Sequence, residues 1–314
     1  MKLVSFRQAG AARVGAFDDG AAAIDLNRAY AALARSRGAR ANAADALAAA
    51  RVPSDIVALL QGGADALGAA EEALDFARGL TAADAARDLV RVADPEVLCP
   101  VPRPPKIVCV ARNYAEHAKE AGLEISPIPI LFARFPATLV APGGDVVLPN
   151  VSEQLDWEGE LAVVIGKPGR RVSEADALEH VAGYSIFNDV TVRDYQFRVS
   201  QYTEGKNFHA SGPFGPHLVT ADEVPDPHAL DIVTTVSGVE KQRANTSDML
   251  YSIARLVSHI SEFVELEAGD VIPTGTPAGV GFKRSPPEFL KAGDIVAVSV
   301  TGLGVLENPV VAES

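Results

Sequence analysis

Short alternating segments open the chain and predict three strands, at Lys2 to Phe6, Arg13 to Phe17 and Ala22 to Leu26, with turns at Gly10 and Asp18-Asp19-Gly20. From residue 29 to 90 the pattern becomes Ala-rich, with scattered Arg, Asp and Leu, and predicts helices such as Asp65–Arg78. The stretch Leu98-Cys-Pro-Val-Pro-Arg-Pro-Pro-Lys106 holds four prolines and cannot be the interior of a regular element. It reads as a linker, dividing a small N-terminal domain over residues 1–100 from a second domain over 101–314. In the second domain Ile107–Val110 reads as a buried strand, and Tyr114–Gly122 as a short helix closed by its glycine. Further strands are predicted at Ile130–Phe132, Val146–Leu148, Leu161–Ile165, Tyr184–Asn188, Ile232–Val236, Asp270–Ile272 and Ile295–Val300. One helix interrupts them, where Met249, Leu250, Ile253, Leu256, Val257, Ile260 and Val264 keep an apolar face.

Composition narrows the class. With 48% hydrophobic and 22% charged residues the 314-residue chain is globular, and long enough to bury a core without disulfides or a structural metal. A metal site here therefore calls for a functional reason. The net charge of −13, without any Lys/Arg cluster, argues against nucleic acid or an anionic membrane as partner. Only Cys99 and Cys109 are present, no run approaches a transmembrane length, and the first residues lack a signal-peptide core. The expectation is a cytoplasmic protein.

Candidate chemistry gathers in four segments. In Leu155-Asp-Trp-Glu-Gly-Glu-Leu161 the two-residue period of a strand puts Glu158 and Glu160 on one face. Two such carboxylates beside an apolar strand are costly to bury unless paired, and a hard divalent cation with oxygen ligands resolves that cost. Read alone, such a pair is more often two solvated acids on an exposed edge strand. Asp189 ends the apolar strand at Tyr184–Asn188, where a ligand is commonly placed; Asn188 and Asp194 compete with it, and spacing does not choose between them. His117 and Glu120 are i, i+3 neighbours on a helical face, an arrangement that raises imidazole basicity and suits a general base. Pro273-Thr-Gly-Thr-Pro-Ala-Gly-Val-Gly281 forms a shaped loop that lacks the P-loop lysine. Nucleophile-elbow, zincin, paired C-x-x-C and G-x-G-x-x-G motifs are all absent.

Taken in order, "KIVCVARNYAEHAKE", "EQLDWEGELAVVIGK", "GYSIFNDVTVRDYQ", "GKNFHASGPFGP" and "GDVIPTGTPAGVGF" resemble the catalytic domain of the fumarylacetoacetate hydrolase family, from about residue 104 to the end. The first hundred residues resemble, less specifically, the smaller α/β domain of many bacterial members. The resemblance implies an α+β, mostly β fold, a mixed β-roll around the active site, usually in a homodimer. It implies Mg²⁺ or Mn²⁺ held by Glu158, Glu160 and Asp189, a His117–Glu120 dyad that handles water or a proton, and Lys206 facing the substrate. Arg112, Tyr114, Arg193, Gln196 and Thr276 are the candidate substrate-binding positions. Ala111 departs from the usual family glycine, and Arg134 stands where many relatives carry lysine. The implied partner is a small 2-oxo acid. The expected reaction is hydrolytic C–C cleavage of a 2,4-dioxo acid (an acylpyruvate or diketo sugar acid) to give pyruvate or a related 2-oxo acid. Rival expectations on the same scaffold are an oxaloacetate-like decarboxylase and a 2-hydroxy-diene-dioate isomerase, with a non-catalytic metabolite-binding relative as a different class.

Overall fold

Residues 1–18, 22–116 and 126–314 are described by the structure, a computed structural model. Two antiparallel strands, Gly159–Ile165 and Val181–Asn188, form its centre, paired from Gly159↔Asn188 to Ile165↔Val181. Every residue of both is buried, as an unbroken apolar run predicts for a strand covered on two faces. Alternation divides the first strand between two cores. Ala162 and Val164 pack with Cys109, Phe187, Phe214 and the helical residues Ala70, Ala73 and Leu74. Leu161, Val163 and Ile165 pack instead with Ile253, Leu256, Val257 and Ile260. By the same parity Glu160 belongs to the Ala162 face and Gly159 to the Leu161 face.

From this pair one sheet of twelve strands extends both ways. On one side stand Val271–Pro273, Ile107–Ala111 and Ile130–Arg134; on the other, Gly212–Thr220 and the N-terminal strands Lys2–Gln8, Ala11–Phe17 and Ala23–Asp25. Leu3 pairs with Leu218, so the sheet runs continuously across the proline-rich stretch near residue 100. A second sheet of five strands, centred on Asp231–Val236 and Ile295–Val300, covers the other face of the Gly159 strand. The alanine-rich segment forms the expected helix, observed at Gly63–Arg78. Most of the helix read at 114–122 falls outside the described residues.

Two elements differ from the pattern, each for a local reason. Gly212–Thr220 is central in the sheet, yet Pro213 and Pro216 lack the N–H that a ladder needs. The ladder accommodates them by a register shift between Tyr184 and Ile186, across which Ser185 donates its hydroxyl to the carbonyls of Gly215 and His217 at 3.1 and 2.8 Å. The helix expected from Met249 begins at Ile253, because Ser252 caps it by accepting the Arg255 N–H at 3.2 Å. Among the described residues no helix is long and apolar enough to cross a membrane.

Packing across the sheets generates two predictions. A Cβ added at Gly159 would lie 2.2 Å from Thr234 Oγ1 and 2.9 Å from a Val298 methyl, both held in the facing sheet. Gly159→Ala is expected to cost about 1–3 kcal/mol by overpacking, read as a lowered denaturant midpoint with unchanged slope. His217 lies buried edge-on to the Phe17 ring, with no partner for Nε2 among the described residues. Burial, with Lys2 nearby and Glu223 only partly opposing, lowers its pKa to about 4. The unfolded chain then binds the proton more tightly. This contribution to stability is full above about pH 6.5 and lost as pH falls towards about 4. Thermal midpoints of His217→Gln across that window should fall less steeply with acid than those of the parent.

Candidate metal centre

Backbone register brings the ligand segments together. Leu155–Asp156 pairs with Thr191–Val192, setting Asp156 opposite Thr191. Between that ladder and the Gly159↔Asn188 pair, the Asp189 N–H donates to the Glu158 carbonyl at 2.8 Å and the Glu158 N–H donates to Asn188 Oδ1 at 3.0 Å. Carboxylate oxygens of Glu158, Glu160 and Asp189 consequently lie within 4.8 Å of one another, all three side chains buried. Of the competing residues, Asn188 is committed to the Glu158 backbone and Asp194 accepts from the Ser152 hydroxyl at 2.5 Å.

Charge balance shows what the cluster lacks. Asp156, Glu158, Glu160 and Asp189 are buried beside the buried cations Arg134, Arg193 and Lys206. Arg134 holds Asp189 Oδ1 through Nε and Nη2, each at 2.8 Å. Lys206 Nζ spans Glu158 Oε2 at 2.7 Å and Asp189 Oδ2 at 2.5 Å. Arg193 pairs with Asp156 Oδ2 at 2.8 Å and Glu158 Oε1 at 2.7 Å. Glu160 accepts the Gly275 N–H at 2.8 Å, and among the described residues no cation forms an ion pair with it. Burial, then the Asp189 and Glu158 charges, push its carboxyl well above the usual range. At the cluster's spacing each like-charge pair repels by about 3–4 kcal/mol at an effective dielectric near 20. A divalent cation answers that deficit, and an all-oxygen donor set suits Mg²⁺ or Mn²⁺.

The cations are locked in charged form. Burial disfavours the Lys206 ammonium, but Asp189 and Glu158 outweigh it and hold the pKa above the ordinary lysine value. Arg193 is likewise raised, with Asp156 and Glu158 overcoming burial. Asp156 also accepts the N–H groups of Trp157, Gly281 and Phe282 at 2.8, 2.7 and 3.0 Å, fixing the loop beside Arg193.

A cavity of about 530 Å³ opens above the carboxylates. Arg112, Arg193, Gln196, Lys206 and Thr276 all line it, with Phe132, Phe197, Val199 and Phe282 as apolar wall. Tyr114 is not among these residues: it is buried, its hydroxyl has no partner among the described residues, and it lines a separate cavity of about 350 Å³ beside Arg243 and Asp248. His117 and Glu120 lie outside the described residues. The Thr276 hydroxyl donates to the Gly159 carbonyl at 2.9 Å and accepts from Gln242 Nε2 at 2.8 Å. Gln242 also donates to the Pro277 carbonyl and accepts the Gly159 N–H, clamping the loop onto the Glu-Gly-Glu strand. No sequence motif marks Gln242. Asp156 had a signal, since it stands two residues before Glu158 on the same strand parity.

Residues 106–311 match the family described as fumarylacetoacetate hydrolase, C-terminal. A mitochondrial oxaloacetate tautomerase of Homo sapiens is 47% identical over 216 residues, covering 68% of this chain and 69% of that protein. An oxaloacetate tautomerase of Bacillus subtilis is 44% identical over 216 residues, covering 67% and 71%. The solved fumarylacetoacetate hydrolase of Exiguobacterium antarcticum has a TM-score of 0.76 at 34% identity, with 100% of each chain covered. Motif order, fold and a buried carboxylate cluster agree, and the chain belongs to the fumarylacetoacetate hydrolase family.

Proposed function

We propose that the chain is a divalent-metal-dependent enzyme that shifts a proton between C3 and the C2 oxygen of a 2-oxo acid, interconverting the keto and enol forms of an oxaloacetate-like substrate. The observation that carries this reading is the convergence of Glu158, Glu160 and Asp189 within 4.8 Å of one another, at a cavity lined by Glu158, Glu160 and the buried Lys206. Sequence similarity to oxaloacetate tautomerases supports the choice of reaction. Mg²⁺ or Mn²⁺ held by the three carboxylates would supply the Lewis-acid charge that makes a C–H next to the keto group acidic.

The chain's own groups supply the remainder. Lys206 stands as a preorganised cation where negative charge grows on the 2-oxo oxygen. We do not assign it as the base, because its Nζ already donates to two carboxylates. Arg193, whose Nη2 is buried without a partner among the described residues, and Gln196, bound to Arg193 Nη1 at 2.9 Å, orient the substrate's 2-oxo carboxylate. We assign proton removal to His117, oriented by Glu120, on their sequence pattern. The two buried thiols and the family resemblance support a cytoplasmic homodimer.

A second reading is hydrolytic C–C cleavage of a 2,4-dioxo acid. It is favoured by the cavity, which extends past the charged floor to Phe132, Phe197, Val199 and Phe282 and has room beyond a four-carbon acid. Decay of enol-oxaloacetate absorbance, CO₂ release and pyruvate formation from acetylpyruvate separate tautomerisation, decarboxylation and hydrolysis.

Two outcomes test the common core. Stripping metal with EDTA should abolish turnover, and restoring Mg²⁺ should both recover it and raise the thermal midpoint by mass action on the folded state. Glu160→Gln should lose most of that Mg²⁺-dependent shift. Lys206→Ala should reduce kcat by about 10²–10³-fold, the scale of removing one preorganised donor from a developing oxyanion. Full turnover in the metal-stripped protein, or an unimpaired Lys206→Ala, would overturn the reading.

A further inference from the structure

The groups assigned so far bind one end of a 2-oxo acid. Arg112 lines the same cavity and is not among those groups. It follows the strand Ile107–Ala111 with a φ of 59°, in the left-handed region where a Cβ is crowded and glycine would sit freely. The strain falls on Arg112 itself, one residue after the Ala111 that departs from the family pattern. Strain at a non-glycine residue persists where surroundings and function fix it.

The charge state of Arg112 is equally distinctive. Arg193 and Lys206 are each neutralised by buried carboxylates. Arg112 is half-buried and donates Nη2 to the Tyr202 hydroxyl at 2.9 Å, and among the described residues it forms no ion pair. Tyr202 is held edge-on to Phe132 at 5.5 Å between ring centroids, which steadies the guanidinium against the cavity wall. The remaining donors of that planar fork match the two oxygens of a carboxylate.

We propose that Arg112 is a specificity-determining residue that binds a second anionic group on the substrate, the distal carboxylate of a 2-oxo diacid. The carboxylate triad, Lys206 and Arg193 hold the 2-oxo end. The assignment rests on the proposed reading of that end and names the residue that would select 2-oxo diacids over 2-oxo acids with an uncharged tail. Arg112 acts on binding and takes no part in proton transfer.

The test uses the full chain loaded with Mg²⁺ and two unreactive probes of equal length, 2-oxoglutarate and 2-oxopentanoate, which differ in a distal carboxylate against a methyl. Calorimetric titration should show the parent binding the diacid at least about tenfold more tightly. Arg112→Gly and Arg112→Gln should collapse the ratio of the two dissociation constants to about one, while Arg112→Lys keeps part of it. Because glycine relaxes the positive φ, the thermal midpoint of Arg112→Gly should equal or exceed the parent's; a purely structural arginine would lower it. Mg²⁺-dependent binding of both probes without preference would overturn this inference alone, as would a preference that survives in both variants. Binding of neither probe to the Mg²⁺-loaded parent would overturn the proposed reading of the 2-oxo end together with the inference.

Discussion

Three buried carboxylates confined within 4.8 Å of one another are the constraint that the rest of the architecture answers. The answer is assembled from distant parts of the chain. Arg134 ends an edge strand, Arg193 opens a short helical turn after Thr191–Val192, and Lys206 closes another turn at Thr203–Lys206. Each is fixed by more than the charge it neutralises. Arg134 also donates to the Ser211 hydroxyl and the Val190 carbonyl, both at 2.9 Å, and stands 5.7 Å from the Phe187 ring centroid. Such a network is a poor way to gain stability, because the desolvation of every ion must be recovered by its partners. Its value lies in holding charges already oriented for the substrate.

The Glu158-Gly159-Glu160 triplet shows how one strand serves both needs. Its carboxylates face the cavity while the residue between them faces the second sheet, where Thr234 and Val298 leave no room for a side chain. Gly159 is therefore required by close packing, not by backbone conformation. Gln242 then couples that strand to the Thr276 loop through three hydrogen bonds, so the five-stranded sheet buttresses the site it does not enter.

How far the sequence disclosed this depends on the range of the interaction. The two-residue strand period placed Glu158 and Glu160 on one face, and it would have marked Asp156 too. Selecting Asp189 over Asn188 and Asp194 needed the pairing of Asp156 with Thr191, which local spacing does not contain. Arg134 and Gln242 were beyond reach for the same reason: their partners, Asp189 and Thr276, are 55 and 34 positions away. The strand at Gly212–Thr220 was hidden because two prolines break its pattern, and only the compensating register shift beside Ser185 lets them lie mid-sheet. The N-terminal strands were each legible by alternation, whereas their joining to that hidden strand was not.

The same electrostatics bear on which molecules the cavity accepts. With all four carboxylates ionised, four negative charges face three cations, an excess of one that would repel an approaching acid. A divalent cation on the triad reverses that sign and leaves a single positive charge, enough to balance one substrate carboxylate. A diacid brings a second, into a protein whose overall charge is −13. That second charge has to be met locally, at a distance from the triad set by the length of the substrate. Arg112, lining the cavity without a carboxylate partner among the described residues, is the group proposed to meet it. Discrimination between a diacid and an acid with an apolar tail would then turn on Arg112, while the chemistry stays with the carboxylates and Lys206.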